Sequence, residues 1–375
     1  MAEKKTTSAK GKAKASTKKK GKFNLSLIIG ITVSIIITIV FCLGIYGYYV
    51  YKKTSYPADE KNGVIIYVPT GSSYEDVLKT IKEKDIIVHN NVFEWLLEKK
   101  EYKTSVKPGR YLLNNVHYND LLKEAIRYNG IINTLKLGRQ YPVKLTFNSV
   151  RTKEDLANII SKQIEADKDS IIDLFNNTEF VQTFGFEVNT IGTMFIPNTY
   201  EFYWNTSAEQ FFERMAKEYK IFWNEERRAK AQNIGLSQSE ATVLASIVEQ
   251  ETNKNDEKSQ IAGVYLNRLK RNMRLQADPT VKFAIGDFSI KRIMKIHTEF
   301  NSRYNTYMYT GLPPGPICFP TSITIDAVLN RNKHNYLYFC AKEDFSGYHV
   351  FATNYAEHQI NARKYQRALN RNKIK

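Results

Sequence analysis

One stretch constrains this chain before any other: LSLIIGITVSIIITIVFCLGIYGYYV, residues 25–50, with no charged side chain. At about 26 residues it is long enough, as a helix, to cross roughly 30 Å of hydrocarbon. A cleaved signal peptide would have a shorter apolar core and a small-residue cleavage site, and no good A-x-A site follows. Tyr46, Tyr48, Tyr49 and Tyr51 cluster at its far end, as an interfacial aromatic belt would. We therefore read residues 23–51 as a transmembrane helix. Residues 1–22 hold nine lysines and one acid, Glu3, so this tail carries +8 of the net +17 and the remainder carries +9. Almost nothing in the tail is apolar, which predicts a disordered segment. The lysines precede the apolar run, and only Lys52 and Lys53 directly follow it. The positive-inside rule then predicts a single-pass protein of the inner membrane, with a cytoplasmic N-terminus and residues 54–375 periplasmic or otherwise extracytoplasmic. A basic tail suits nucleic acid as well, but this placement makes it a topology signal, and no nucleic-acid partner is expected.

The exported part can bury a core, since the chain is 42% hydrophobic and 13% aromatic. The run at 64–68, VIIYV, reads as a strand. Ser73 and Asp76 make a capping box with Asp in place of Glu, opening a helix through Lys82. A second helix is predicted at Asn90–Lys99, and KPGRYLL (107–113) as a turn into a strand. This β-α-α-β unit is assigned residues 52–115. A linking α+β region, 116–235, is predicted to hold a helix near Asn119–Tyr128, strand-like segments at Asn133–Leu137 and Val143–Phe147, and a helix from Thr152 to about Ile164. Further helices are predicted around Ser170–Asn176 and Ala208–Trp223. From 236 to 375 the pattern is a capping box at Ser237 and Glu240, a helix through Glu251, and a helix near Glu257–Lys270. A loop-rich region from Met273 to Pro320 follows. Strands at 336–341 and 348–352 and a closing basic helix from about Asn354 complete the chain. The fold class predicted is α+β.

Chemistry concentrates on the 238–251 helix. Leu244, Ile247 and Val248 share a face, and Glu251 falls on that stripe at i+7, i+4 and i+3. Glu249 lies roughly 200° round the helix, with Thr242, Ala245 and Ser246, so the two acids cannot face one cleft. A carboxyl at the edge of an apolar face, at a helix C-terminus, is expected to hold its proton to higher pH. That is what a general acid requires. The alternative, a helix-end glutamate paired with Lys254 or Arg268, stays open on helix geometry alone. Gln276, Asp278, Asn305, Thr306 and Tyr307 supply amide, carboxylate and aromatic groups in loops, a set that suits a sugar groove. Asp278 as a helix start and Asn305 as a cap are the plainer readings. The six histidines show no H-E-x-x-H or Cys/His metal spacing. The exported part has no G-x-S-x-G elbow, S-x-x-K motif, P-loop or dinucleotide fingerprint. Cys318 and Cys340 are either a disulfide or two buried thiols.

At these residues the sequence resembles the endolytic murein transglycosylases, the MltG or YceG-like family. The resemblance rests on LASIVEQET (244–252), IAGVYLNRL (261–269), MRLQADPTV (273–281), YNTYMYTGLPPGPI (304–317), YLYF (336–339) and HVFATNYAEH (349–358). Upstream, VPTGSS, VFEWLL, KPGRYLL and IPNTYEFYW match more loosely, and FNSV (147–150) stands where the family often has an acid-glycine pair. The resemblance implies that the β-α-α-β unit is a LysM-like subdomain and that residues 236–375 form the catalytic region. It makes Glu251, the second acid of E-x-E-T, the catalytic residue, and the loop groups Gln276, Asp278, Asn305 and Tyr307 are the expected substrate-binding residues beside it. It implies lytic cleavage between N-acetylmuramic acid and N-acetylglucosamine within nascent strands, leaving 1,6-anhydro ends and needing no metal or organic cofactor. Peptidoglycan strands would be the substrate, and penicillin-binding synthases and the elongation or division machinery the protein partners. Two alternatives stand beside this: a muramidase-type hydrolase using Glu251 and Asp278, and a non-catalytic peptidoglycan-binding division scaffold.

Overall fold

The computed structural model describes residues 25–52 and 58–372, so the tail assigned to disorder lies outside the described residues. The chain is mixed α+β. Helix α1 (Leu25–Lys52) takes in the apolar run, and its Ile28–Tyr46 stretch is long and apolar enough to cross a membrane, with none of it buried. Tyr46 and Tyr48 are exposed at its far end, while the side chains of Tyr49 and Tyr51 lie outside the described residues.

Strand β1 (Gly63–Val68) pairs antiparallel with β2 (Gly109–Asn114), with Ile66 opposite Tyr111. Between them run α2 (Tyr74–Glu83) and α3 (Asn90–Lys99). The Ser73–Asp76 box forms as predicted: Ser73 Oγ accepts from the Asp76 N–H, and Asp76 accepts from the Ser73 N–H at 2.8 Å. Helix α4 (Leu121–Leu137) differs from the sequence expectation, because it runs straight through Asn133–Leu137, which was expected as a strand. The helical spacing of Tyr128, Ile131, Ile132 and Leu135 lays one face into the core formed by Ile66, Phe93 and Tyr111. That burial overrides the β-preference of the two isoleucines. Gly138, at φ 69°, ends the helix in the left-handed conformation that glycine adopts most readily.

The second core runs from Leu145 to Leu329. Strand β3 (Val143–Phe147) pairs antiparallel with β4 (Asn198–Phe202), Leu145 facing Tyr200. Helices α5 (Lys153–Ile160), α6 (Lys168–Asn176) and α7 (Thr178–Gln182) lie between them. Helix α5 stops four residues short of the predicted Ile164. Helices α8 (Ala208–Phe222) and α9 (Glu225–Asn233) follow. Phe175, Phe195, Phe211 and Phe212 form an aromatic cluster with ring centroids 4.8 to 6.1 Å apart, offset or edge-on as ring quadrupoles favour.

Helix α10 (Gln238–Glu251) runs through this core. It begins at the predicted box, Ser237 Oγ accepting from the Glu240 N–H. Every residue from Ala241 to Val248 is buried, so it is enclosed all round and not on one stripe. Helices α11 (Asn255–Lys270) and α14 (Ser322–Leu329) pack against it, and α12 (Asp278–Ile285) lies beyond its C-terminal end. A short α13 (Lys295–Thr298) interrupts the loop region. Gly315 belongs to the GLPPGP turn, and a Cβ there would come within 2.0 Å of the Asn189 carbonyl oxygen. Only glycine allows that approach of two chain segments. Strands β5 (Tyr338–Ala341) and β6 (His349–Ala352) form an antiparallel hairpin, and α15 (Tyr355–Arg371) closes the described chain. Cys318 and Cys340 are free thiols, and Cys318 is buried.

Candidate active site

Helix α10 ends at Glu251. Thr252 is extended (φ −147°, ψ 141°), and its hydroxyl accepts from the Lys254 N–H at 3.0 Å, so the β-branched residue ends one helix and helps begin the next. Glu251 is thereby held in the last turn, with its carboxyl enclosed by protein although part of the side chain reaches the surface. The Tyr265 hydroxyl, from the facing side of α11, donates to Glu251 Oε1 at 2.5 Å.

Burial is the main influence on this carboxyl. It raises the pKa to about 7, opposed by the Tyr265 hydrogen bond, assisted by the negative charge of Asp278, and opposed again by Lys282 and Arg268. Burial likewise drives the Tyr265 hydroxyl far up, with Glu251 adding to it, so Tyr265 remains a donor.

The ion-pair alternative is absent: among the described residues Glu251 has no cationic nitrogen within 4.0 Å. Lys254 lies over the Tyr348 ring, 4.9 Å from its centroid. Arg268 is buried, and its Nε and Nη1 donors go elsewhere. Nε reaches the Leu337 carbonyl at 2.6 Å, and Nη1 reaches the carbonyls of Leu275 at 2.7 Å and Arg274 at 3.2 Å, and Gln276 Oε1 at 3.3 Å. Arg268 thus ties the loop entering α12 and the start of the hairpin to α11. It contributes its field to Glu251 but not a contact.

Glu249 points to the other side of α10, as the helix spacing requires. It accepts from Lys258 Nζ at 3.3 Å, from the Thr321 N–H at 3.3 Å and hydroxyl at 3.0 Å, and from the Thr324 hydroxyl. It is a structural clasp between α10, α11 and the N-terminus of α14. Ser246, on the same side, accepts from the Ile317 N–H at 3.0 Å and so holds the end of the GLPPGP turn.

The loop residues separate into two groups. Asp278 opens α12, is exposed, and accepts from the Tyr307 hydroxyl at 2.6 Å. Tyr307 is half-buried, and burial together with Asp278 pushes its hydroxyl pKa well up. Gln276 is exposed in the left-handed region at φ 52°, held there by its N–H on the Thr306 carbonyl at 3.1 Å and by Arg268. These three stand with Glu251 through the Arg268, Asp278 and Tyr307 links. Asn305 departs from the expectation of a groove-facing amide. It is fully buried, its Nδ2 donating to the carbonyls of Thr298 (3.1 Å) and Phe300 (2.8 Å), its Oδ1 accepting from the Tyr307 N–H at 3.0 Å. It braces the loop that presents Tyr307. Thr306 is also buried, bonded to the Ala277 N–H and the Thr280 hydroxyl, and clamps the two loop segments together. Tyr265 was missed as a site residue by spacing arguments, though it lies inside the IAGVYLNRL motif. A hollow of about 580 Å³ between the β3–β4 edge and α8 includes none of these groups.

The arrangement offers one enclosed carboxyl that exchanges its proton near neutrality, one fixed hydroxyl donor on it, and an exposed carboxylate–tyrosine pair beside it. The sequence model of the YceG-like family matches residues 66–364. The chain is 29% identical to the endolytic murein transglycosylase of Bacillus subtilis over 324 residues, covering 82% of this chain and 86% of that protein. It is 26% identical to the protein of the same name from Streptococcus pneumoniae, over 85% of this chain and 61% of that longer protein. A crystal structure of a YceG-like protein from Listeria monocytogenes superposes with a TM-score of 0.52 at 26% identity, over 80% of this chain and 99% of that one. With the family match spanning well over half of its length, the chain belongs to the YceG-like family.

Proposed function

We propose that this chain is a membrane-anchored lytic transglycosylase that cuts within peptidoglycan strands, with Glu251 as acid and then base. One observation carries the reading: an enclosed carboxyl with a pKa of about 7 and no cation paired to it. Both protonation states are then populated near neutral pH, as a group that must first give and then take a proton requires. Protonated Glu251 gives its proton to the glycosidic oxygen between N-acetylmuramic acid and N-acetylglucosamine, and the C1–oxygen bond breaks. The resulting carboxylate takes the proton from the muramyl C6 hydroxyl, whose oxygen closes onto C1. The products are a free sugar hydroxyl and a 1,6-anhydro end, and Glu251 is protonated again. Tyr265 fixes the carboxyl's orientation and steadies its charged form. Asp278, Tyr307 and Gln276 bind the sugar, and Asp278 keeps the neighbouring carboxyl protonated.

The anchor α1 holds the enzyme at the inner membrane, with its N-terminus cytoplasmic, beside newly made strands and the synthases that extend them. Cutting there would terminate elongation. The β1-α2-α3-β2 unit, LysM-like in order, would grip the strand away from the cut. Mass analysis of digested sacculi tests the chemistry. Anhydro ends are expected, and reducing ends alone would mean a hydrolase that uses Asp278 as its second carboxyl. Glu251→Gln should lower the rate by at least about a hundredfold. An unchanged rate would remove Glu251 from the mechanism.

A further inference from the structure

Two cations lie beside the Glu251 site without an acid in ion-pairing distance. Arg151 stands two residues before the first residue of α5, its Nε on Gln250 Oε1 at 3.2 Å and its guanidinium 4.8 Å above the Phe288 ring. These contacts engage Nε and the face of the group, the residue is exposed, and among the described residues its Nη donors make no hydrogen bond. Lys282, on α12, is half-buried, and its ammonium acts on Glu251 only through its field. Both cations line a hollow of about 60 Å³ with Pro279 and Ile317. Pro279 follows Asp278, so the hollow shares its α12 wall with the reacting carboxyl. Past Arg151 a second hollow, about 310 Å³, continues between Lys153 and Asn189 on one side and Phe283 and Tyr304 on the other. Lys153 Nζ donates to the Val188 carbonyl at 2.8 Å and the Phe175 carbonyl at 3.4 Å, which leaves one donor. The trough therefore has three cations against one acid, Glu154.

Two half-buried ammonium groups and an exposed guanidinium along one trough favour an anion there. The sugars of a peptidoglycan strand are uncharged. Its carboxylates sit on the peptide that branches from the lactyl group of the muramyl residue, the same sugar whose C1 bond is cut. A carboxylate fits the guanidinium of Arg151 by paired N–H donors, and the larger hollow is of the size that holds a short peptide segment.

We infer that the trough of Arg151, Lys282 and Lys153 holds the carboxylate-bearing peptide branch of the muramyl residue at the cut, so that the enzyme selects strands still carrying their peptides. This rests on the proposed reaction. The test compares the purified full chain in detergent on uncrosslinked peptide-bearing strands and on the same strands stripped of peptide by an amidase, counting anhydro ends. Wild type is expected to cut the peptide-bearing strands roughly tenfold faster, the scale of one charge-assisted hydrogen bond. Arg151→Ala should bring the two rates together by slowing only the peptide-bearing substrate, and Arg151→Glu should favour the stripped strands. Arg151 is exposed, so matching melting temperatures are expected for all three proteins. Equal wild-type rates on both substrates, or an Arg151→Glu protein that keeps the wild-type preference, would overturn the inference and leave the lytic reading standing. Absence of anhydro ends from either substrate would overturn the lytic reading, and this inference with it.

Discussion

Replacing Glu251 by Gln should stabilise the protein, and the gain should grow with pH. The carboxyl's pKa rises from the ordinary 4.5 to about 7 on folding. Between those values the folded chain keeps a proton that the unfolded chain has released. Stability therefore falls as pH rises through this window, and levels off above it. At about 1.4 kcal/mol per pH unit the penalty comes to about 3 kcal/mol. Gln retains an oxygen to accept the Tyr265 hydroxyl but carries no charge to desolvate. Melting temperatures of wild type and variant, followed by intrinsic fluorescence from pH 4 to pH 8, should coincide at the acid end. They should separate to about 5 °C by pH 8, with the variant higher. Groups elsewhere titrate alike in both proteins and cancel in the difference. A gap independent of pH would refute the burial argument. A wild type that gains on the variant as pH rises would show the reverse sign, that of a carboxylate stabilised by a cation.

Tyr265→Phe removes the donor that favours the charged carboxyl, so the alkaline limb of the pH–rate profile should move up by about one pH unit or more. Asp278→Asn removes a charge that favours the protonated form, and the same limb should move to lower pH. Glu249→Ala strands the buried Lys258 ammonium and should cost about 3 to 5 kcal/mol, read by calorimetry as a large fall in melting temperature. Gly315→Ala forces the GLPPGP turn away from Asn189 and should cost about 1 to 3 kcal/mol, with increased hydrogen exchange at the Ile317 amide that bonds Ser246.

Several helices that begin with a side-chain cap were legible because the signal is local, although α7 and α9, capped by Asn177 and Asn224, were not. Ser73, Thr152, Ser237 and Asn354 each stand where a helix begins. The β1–β2 pair was legible for a similar reason, with short apolar runs bounded by turns. The first half of α4 was legible, but its continuation through Leu137 was not, because the shared burial of Ile131, Ile132 and Leu135 with Phe93 and Tyr111 is not written in the local sequence. Helix α14 was missed because SITIDAVL is apolar without a helical stripe. Its place is set by contacts with α10 and α11 and by Glu249 at its first turn.

For the site, helix spacing separated Glu251 from Glu249 correctly, since angular position depends only on sequence offset. Spacing could not decide between a free acid and an ion-paired one. That depends on where Arg268, one helix away, turns its guanidinium, and its Nε and Nη1 are directed to three carbonyls and Gln276 Oε1 rather than to Glu251. The same commitment explains the loop. By holding Leu275 and Gln276, Arg268 sets where α12 starts, and so sets where Asp278 stands relative to Glu251. One buried guanidinium therefore does two things at once: it withholds the contact that would keep Glu251 ionised, and it positions the carboxylate whose charge helps keep Glu251 protonated. An Arg268 freed from those carbonyls would be drawn to Glu251, and the proton the proposed reaction needs at neutral pH would be lost.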